Sequence, residues 1–284
     1  MALHYVERLA PTPLAAAIEC VWSVSDRVAR AARPPDRVIP DGRAELIIHR
    51  GDRYRRLVDG RLLQPAAFLA GTLSRPWIVQ APARIDTVGV RLRPGGFTAL
   101  FGASLAGTAD REVPLAELPA PLTALAAAIR RARRPASARR AAETRLLAHA
   151  AAQLPGGRVA APACAGVVRA IHRRRGRVGV DALSAVTGLP RRRLERLFRR
   201  ETALSPKQYI RIVRLTALLH RLDAPDRERL IDIALDAGYF DQAHMARDFK
   251  ALTARRASAP RGDDGELAVH FTRPDRLLRL LSGA

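Results

Sequence analysis

The sequence predicts an α+β chain: a β-rich, barrel-like domain, a helical linker, and an all-α C-terminal domain with two helix-turn-helix units. Three observations predict it. Over the first hundred or so residues, short apolar stretches alternate with turn signals. After Gly96, apolar residues recur at helical spacing. From about Pro162 to Thr253 the chain reads as helix throughout, and one helix–glycine–helix design occurs twice.

Taken in order, Pro13 to Ser23 reads as a short helix or strand carrying Cys20 and Trp22 inward. The stretches Arg43 to His49, Phe68 to Leu73, Trp77 to Gln80 and Thr87 to Leu92 read as strands, separated by Pro40-Asp41-Gly42, Gly51-Asp52, Asp59-Gly60 and Pro94-Gly95-Gly96. Strands at this spacing suggest a small barrel or sandwich, placed over residues 1–105. Phe97 to Phe101 reads as a helical turn. Leu115, Leu118, Leu122, Leu125 and Ile129 recur at helical spacing, and a helix is expected from Ser137 to about Leu154, so 106–160 reads as a helical linker. Leu154-Pro155-Gly156-Gly157 marks the domain boundary. Residues 161–262 then form the helical domain, and 263–284 a tail with an acidic patch and a leucine-rich segment.

Composition narrows the function classes. The 284 residues hold 49 Lys+Arg against 27 Asp+Glu, a net charge of +22, and 48% hydrophobic residues, enough to bury a core. Such a charge suggests a polyanionic partner, nucleic acid first and an anionic membrane surface second. Only Lys207 and Lys250 are lysines, however, and this arginine skew is what GC-rich coding would give whatever the function. Residues 161–262 hold 22 Lys+Arg against 10 Asp+Glu and the remainder 27 against 17, so the excess is spread along the chain and decides nothing alone. No apolar run approaches the ~18 residues of a membrane span, and the start lacks a basic-then-apolar leader. Cys20 and Cys164 lie far apart with no Cys/His cluster, which argues against a disulfide framework or structural zinc and fits a reducing cytoplasm. No cofactor or metal is expected.

The two repeated units carry the functional signal. Leu183 to Pro190 leads through Gly188 into a helix over Arg191 to about Thr202. Ile231 to Gly238 leads through Tyr239-Phe240 into a helix starting at Asp241, a plausible N-cap. A longer helix from Pro206 to about Leu222 bridges them. In such a unit the second helix can lie in the major groove with its early residues against base edges. One copy is weak evidence, because helix hairpins occur in many cores; two copies joined by a long helix are much stronger.

These segments resemble the DNA-binding domain of AraC-family transcription regulators. The resemblance rests on Gly188-Leu189 with Arg192-Arg193-Leu194-Glu195-Arg196-Leu197-Phe198; on Ser205-Pro206-Lys207-Gln208-Tyr209-Ile210 with Arg214-Leu215; and on Ile233-Ala234 with Ala237-Gly238-Tyr239-Phe240-Asp241-Gln242, His244, Arg247 and Phe249-Lys250. The sequence departs from that pattern at Ser184, Pro190 and Ala203, where alanine, serine and glycine are usual. It departs again at Ala254-Arg255-Arg256-Ala257, which replaces a Gly-x-Thr-Pro ending. Glu19-Cys20-Val21-Trp22, Pro40-Asp41-Gly42 with Glu45-Leu46, Ala70-Gly71 and Gly89 to Gly96 resemble an uncharacterised β-rich domain that often precedes such domains, for which a cupin-like sensor barrel is implied.

The resemblance and helical geometry together imply site residues. Arg192, Glu195 and Arg196 are expected to read bases in the first unit, and Gln242, Ala243, Ala246 and Arg247 in the second. Arginine can bridge guanine O6 and N7, glutamate can accept from cytosine N4, glutamine can read adenine, and alanine can touch a thymine methyl. Arg191, Arg199, Lys207, Arg211, Arg214, His244 and Lys250 are expected as phosphate contacts, which position the protein without specifying sequence. The competing readings are a solvated arginine face holding Glu195 in local ion pairs, and a second unit that mainly touches backbone. Glu45, Arg91 and Trp77 are candidates for effector binding. Glu45 with Arg91 could equally be a cross-strand ion pair, and Trp22 and Trp77 could be core anchors.

The function expected is sequence-specific DNA-binding transcription regulation, with an effector acting through the N-terminal domain, and no enzymatic activity. Double-stranded DNA is the partner; a small-molecule effector, RNA polymerase and a second copy of the chain are others that such a regulator can have. One alternative is an enzyme, a cupin-like or DNA-repair alkyl-transfer module, fused to the DNA-binding domain. Thiolate repair needs clustered cysteines, however, and His4 and His49 are too few for a metal-dependent cupin. The other alternative is an architectural DNA binder without an effector.

Overall fold

The computed structural model describes residues 3–26, 34–57, 62–222 and 230–256, with the Leu230 side chain left aside. The expected Asp59-Gly60 turn, the start of the helix near Arg227, the last residues of the helical domain from 257 and the 263–284 tail lie outside these.

The N-terminal half is built on two antiparallel sheets. Six strands, β1 (His4–Leu9), β2 (Ile18–Asp26), β9 (Ile85–Leu92), β4 (Ala44–His49), β7 (Ala67–Ala70) and β10 (Glu112–Pro114), lie side by side in that order. A smaller sheet runs β3 (Asp36–Val38), β8 (Trp77–Gln80), β5 (Arg55–Arg56), β6 (Leu62–Leu63). Pro13 to Ser23 thus resolves as a turn followed by strand β2, whose residues from Ile18 to Val24 are all buried. Both faces of the large sheet are covered, which is why its strands read as apolar runs rather than clean alternations.

Period-two geometry sorts those two faces. Leu46 and Ile48 of β4, Val88, Val90 and Leu92 of β9 and Leu69 of β7 face a helical layer. That layer is α1 (Gly96–Phe101), α2 (Ala120–Arg131) and α3 (Pro135–Gln153). Leu122, Leu125 and Ile129 of α2 and the small stripe Ala138, Ala142, Leu146, Ala150 of α3 pack into the same core. The segment read as a linker is therefore a layer of the N-terminal fold, and β10, beyond residue 105, pairs with β7. The helix starts at Pro135 rather than Ser137, because proline is tolerated at the first helical position. The opposite face of the large sheet carries Cys20, Trp22 and Val24, which meet Tyr54, Leu73, Trp77 and Val79 beneath the small sheet.

The helical half follows the expected order. It comprises α4 (Ala165–Arg173), α5 (Val180–Thr187), α6 (Arg191–Thr202), α7 (Pro206–Leu222), α8 (Leu230–Asp236) and α9 (Gln242–Thr253). One core joins Leu183, Leu194, Phe198, Tyr209, Val213, Ile233, Tyr239, Met245 and Phe249. Gly188, at φ +66°, ends α5 in the left-handed conformation that glycine adopts without a Cβ clash. Ser205 and Gln208 close a capping box on α7: the Gln208 N–H donates to Ser205 Oγ (3.2 Å) and the Ser205 N–H to Gln208 Oε1 (2.9 Å). Ala203, where the family pattern has glycine, sits at φ +63°, which explains that preference.

The halves meet at a defined junction. The Gly95 N–H donates to Glu201 O (3.1 Å) and the Leu105 N–H to Arg200 O (2.8 Å), so the C-terminal end of α6 is hydrogen-bonded to the sheet domain. A Cβ on Gly95 would lie 2.5 Å from Pro162 and 2.6 Å from Glu201, so the close approach requires glycine.

Candidate nucleic-acid interface and ligand pocket

Helix α6 buries Leu194 and Phe198 and so turns Arg192, Arg196 and Arg199 to solvent, with Glu195 half-buried beside them. The entry to α6 is fixed by Ser184 Oγ donating to Leu189 O (2.6 Å), a bond that an alanine at 184 could not make. Arg191 is exposed and pairs with Asp181 of α5 (3.3 Å). In the second unit Asp241 caps α9, its carboxylate accepting from the His244 N–H (2.5 Å). That cap, with Met245 and Phe249 inward, leaves Gln242, Ala243, Ala246, Arg247 and Lys250 exposed and His244 half-buried. Phe240, just before the cap, is 86% exposed.

Four of the expected phosphate contacts come together: Lys207, Arg211, Arg214 and His244 line one depression between α7, α9 and the start of α5. They differ in freedom. Arg211 is gripped by Asp248, with Nε 3.1 Å and Nη2 2.7 Å from one carboxylate oxygen. Arg214 donates twice to Gly176 O (3.2 and 3.0 Å) and lies over the Tyr239 ring. Lys207 is exposed.

Between the two sheets lies a cavity of about 110 Å³. Trp22, Val24, Ile47, Leu73, Trp77 and Val79 make its apolar walls, and polar groups gather at two places. At one, His49 Nε2 lies 3.2 Å from Gln64 Oε1 and Nδ1 lies 3.0 Å from Thr87 Oγ1, while Gln64 Nε2 donates to Glu112 (3.0 Å). This chain of bonds assigns the proton to Nε2. Burial holds the His49 pKa down at about 4, so the ring is neutral at physiological pH. At the other place are Asp41, Arg43, Glu45 and Arg91. Glu45 and Arg91 face each other across β4 and β9, with Arg91 Nε 2.6 Å from Glu45 Oε1; the cross-strand pair and the pocket lining are the same two residues. Trp77 lines the wall with the Arg56 guanidinium on its ring at 5.0 Å.

Arg43, which carried no role in the sequence reading, is central. Its Nε donates to Glu19 Oε2 (2.9 Å) and its guanidinium hydrogen-bonds Tyr209 of α7, while Nη1 is buried with no partner. Burial alone would raise the Glu19 carboxyl, but Arg43, Arg91 and Arg93 hold it at about 2. Gly42, at φ +78°, lets the turn pass the Tyr209 ring; a Cβ there would lie 2.8 Å from Cε2. Tyr209 also meets His172 (OH to Nε2, 3.0 Å) and packs edge-on against Phe198 of α6 (5.5 Å). A signal for His49 was present in the sequence: Glu45, Ile47 and His49 alternate on one strand face, and polar residues facing a barrel interior mark a ligand cavity.

Two family models match the chain. Residues 7–114 match a domain of unknown function, DUF6597, and residues 183–262 match a helix-turn-helix domain. That second match covers both units, with α6, α9 and the bridge between them. Residues 183–262 thus form a helix-turn-helix domain of the AraC type. The DUF6597 region coincides with the two-sheet body through β10. Among solved structures, ToxT of Vibrio cholerae is similar in one crystal form at 7% identity over 84% of this chain and 96% of that one, with a TM-score of 0.43. A second ToxT structure is similar at 7% over 93% and 99%, TM-score 0.42. A third, of ToxT with unsaturated fatty acid bound, is similar at 9% over 92% and 95%, TM-score 0.39. No curated protein matches. Among the described residues no helix is long and apolar enough to cross a membrane, and no three His, Cys, Asp or Glu side chains gather where they could hold a metal ion.

Proposed function

We propose that the protein regulates transcription by binding a specific DNA sequence through α6 and α9, and that a small molecule in the inter-sheet cavity controls it. The observation that carries the DNA reading is the pairing of two faces: exposed Arg192 and Arg196 with half-buried Glu195 on α6, exposed Gln242 and Arg247 on α9, each helix fixed from behind by a shared core. These side chains have the donors and acceptors that base edges demand, and each good pair is worth about 1–3 kcal/mol of discrimination. Arg191, Arg199, Lys207 and Lys250 supply phosphate contacts, with the α5–α7–α9 depression seating the backbone.

Control by a ligand is supported by the route out of the cavity. Asp41 and Arg43 line it, Gly42 between them touches Tyr209, and Tyr209 packs on Phe198 of the first reading helix. The ligand class that fits is a small, mainly apolar molecule with one hydrogen-bond acceptor for Arg43 Nη1. Binding can shift the domains only through a difference in affinity between their two arrangements, and Arg43 is where that difference would arise. The test is selection of bound fragments from a random duplex pool at fixed salt. A recurring motif in the selected fragments, lost with Arg196→Ala, is expected; an enriched pool without any motif would refute sequence-specific binding.

A further inference from the structure

A second concavity lies on the sheet domain, apart from the cavity and the reading helices. It is an open cleft of about 800 Å³ between the ends of β4 and β9 and the start of α3. Five arginines line it, Arg50, Arg84, Arg133, Arg134 and Arg139, against one carboxylate, Asp86. Arg133 and Arg134 are exposed at the rim; Arg50 and Arg139 lie at the floor, the Arg50 side chain 6% exposed and Arg139 9%.

The floor groups are only partly satisfied. Arg50 donates to Asp86 (3.2 Å) and Ala132 O (2.6 Å), leaving a buried Nε without a partner. Arg139 donates to Ser23 Oγ, also leaves a buried Nε unpartnered, and has no carboxylate in a salt bridge. A buried guanidinium with no carboxylate in contact is costly unless something else supplies the negative charge. Burial and the nearby Arg8 and Arg140 pull its pKa down, and Glu143 offsets this only in part. The start of α3 adds to this: no side chain caps it, Pro135 opens it, and Ala136 lines the cleft, so its first-turn dipole adds positive potential.

We propose that this cleft binds a small phosphorylated molecule, its phosphate reaching the floor between Arg50 and Arg139 while Arg133 and Arg134 close over it. Forked guanidinium donors match phosphate oxygens two at a time, and the volume accommodates more than a bare ion. A duplex backbone is not the occupant, because its phosphates meet exposed cations on convex surfaces, whereas these donors lie at the bottom of a concavity.

Calorimetric titration of the full chain with pyrophosphate at constant ionic strength tests this. One saturable site is expected, weakened about tenfold or more in Arg133→Glu/Arg134→Glu, two exposed positions whose change leaves the circular dichroism spectrum intact. Arg196→Ala should leave that binding unchanged. Arg139→Met should abolish binding without lowering the melting temperature, because it removes an unpaired buried charge; a purely structural arginine would show a lower melting temperature. Absence of saturation up to about 10 mM pyrophosphate would overturn the proposal. So would binding that depends on Arg196 but not on Arg133 and Arg134, which would locate the anion on the reading helices. Duplex DNA affinity that falls with Arg133→Glu/Arg134→Glu while pyrophosphate fails to bind would assign the cleft to DNA instead.

Discussion

His49, Arg196 and Lys207 occupy very different settings in this chain, one buried and two exposed. The His49 ring is buried and neutral, its pKa held near 4 against an ordinary 6.5. Below pH 6.5 the unfolded chain therefore takes up a proton that the folded chain refuses, and stability falls as pH drops from 6.5 toward 4. The shift corresponds to about 3 kcal/mol at most. Glu19, held at about 2, adds a loss of the same sign at lower pH, from about 4.5 down to 2. His49→Gln should flatten the decline between pH 6.5 and 4 and leave the Glu19 portion, as read by thermal melts across pH; an unchanged profile would contradict the buried neutral ring. Arg196, exposed on α6, should act only when DNA is present. Arg196→Ala is expected to cost about 1–3 kcal/mol on a selected site and little on a scrambled one. Lys207→Ala should weaken both duplexes alike and lower the salt slope by about one, as a phosphate contact would. The sequence alone made these exposed residues legible, because helical spacing separates Leu194 and Phe198 from the arginines between them. Arg43 was not legible, since its importance comes from a contact with Tyr209, 166 positions away, that no local pattern encodes.

At the scale of elements, α6 and α9 are set by different devices. Helix α9 begins at a side-chain cap, Asp241 on the His244 N–H, whereas α6 begins at Pro190 without one and is held by the Ser184–Leu189 bond. Asp241→Ala should cost about 1 kcal/mol in the melt and loosen contacts made by Gln242 and Arg247 more than those of Arg196. The helices, their glycine stops and the Asp241 cap were readable because 3.6-residue periodicity and capping are local. The sheet was half readable: β2, β4, β7, β8 and β9 lie on the apolar stretches, but β3, β5, β6 and β10 have only two or three residues each, too few to show a period. Helices α2 and α3 were visible as helices, but their packing on β2, β4 and β9 was not. That packing depends on how an alanine stripe, Ala138, Ala142 and Ala150, fits a sheet face built from distant strands.

Across the whole molecule, specific contacts between described residues join the two halves. Gly95 and Leu105 hold the end of α6, and the Asp41-Gly42-Arg43 turn touches Tyr209. Gly42→Ala forces a Cβ toward the Tyr209 ring at a positive φ; we expect a loss of about 1–2 kcal/mol in the melt and altered DNA affinity, although residue 42 lies in the sheet domain. Tyr209→Phe keeps the ring but removes the hydroxyl between Arg43 and His172, so DNA binding should persist while its response to a cavity ligand is lost. On the proposed reading the net charge of +22 would add long-range attraction to DNA, while the choice of site would rest on two short helix faces. The measurement that bears most directly on that claim is a footprint on a selected duplex. Two protected major-groove segments about one helical turn (~34 Å) apart on one DNA face are expected. Arg196→Ala should remove protection from one of them and Arg247→Ala from the other. Uniform protection along any duplex, unchanged by either substitution, would contradict recognition by the paired helices.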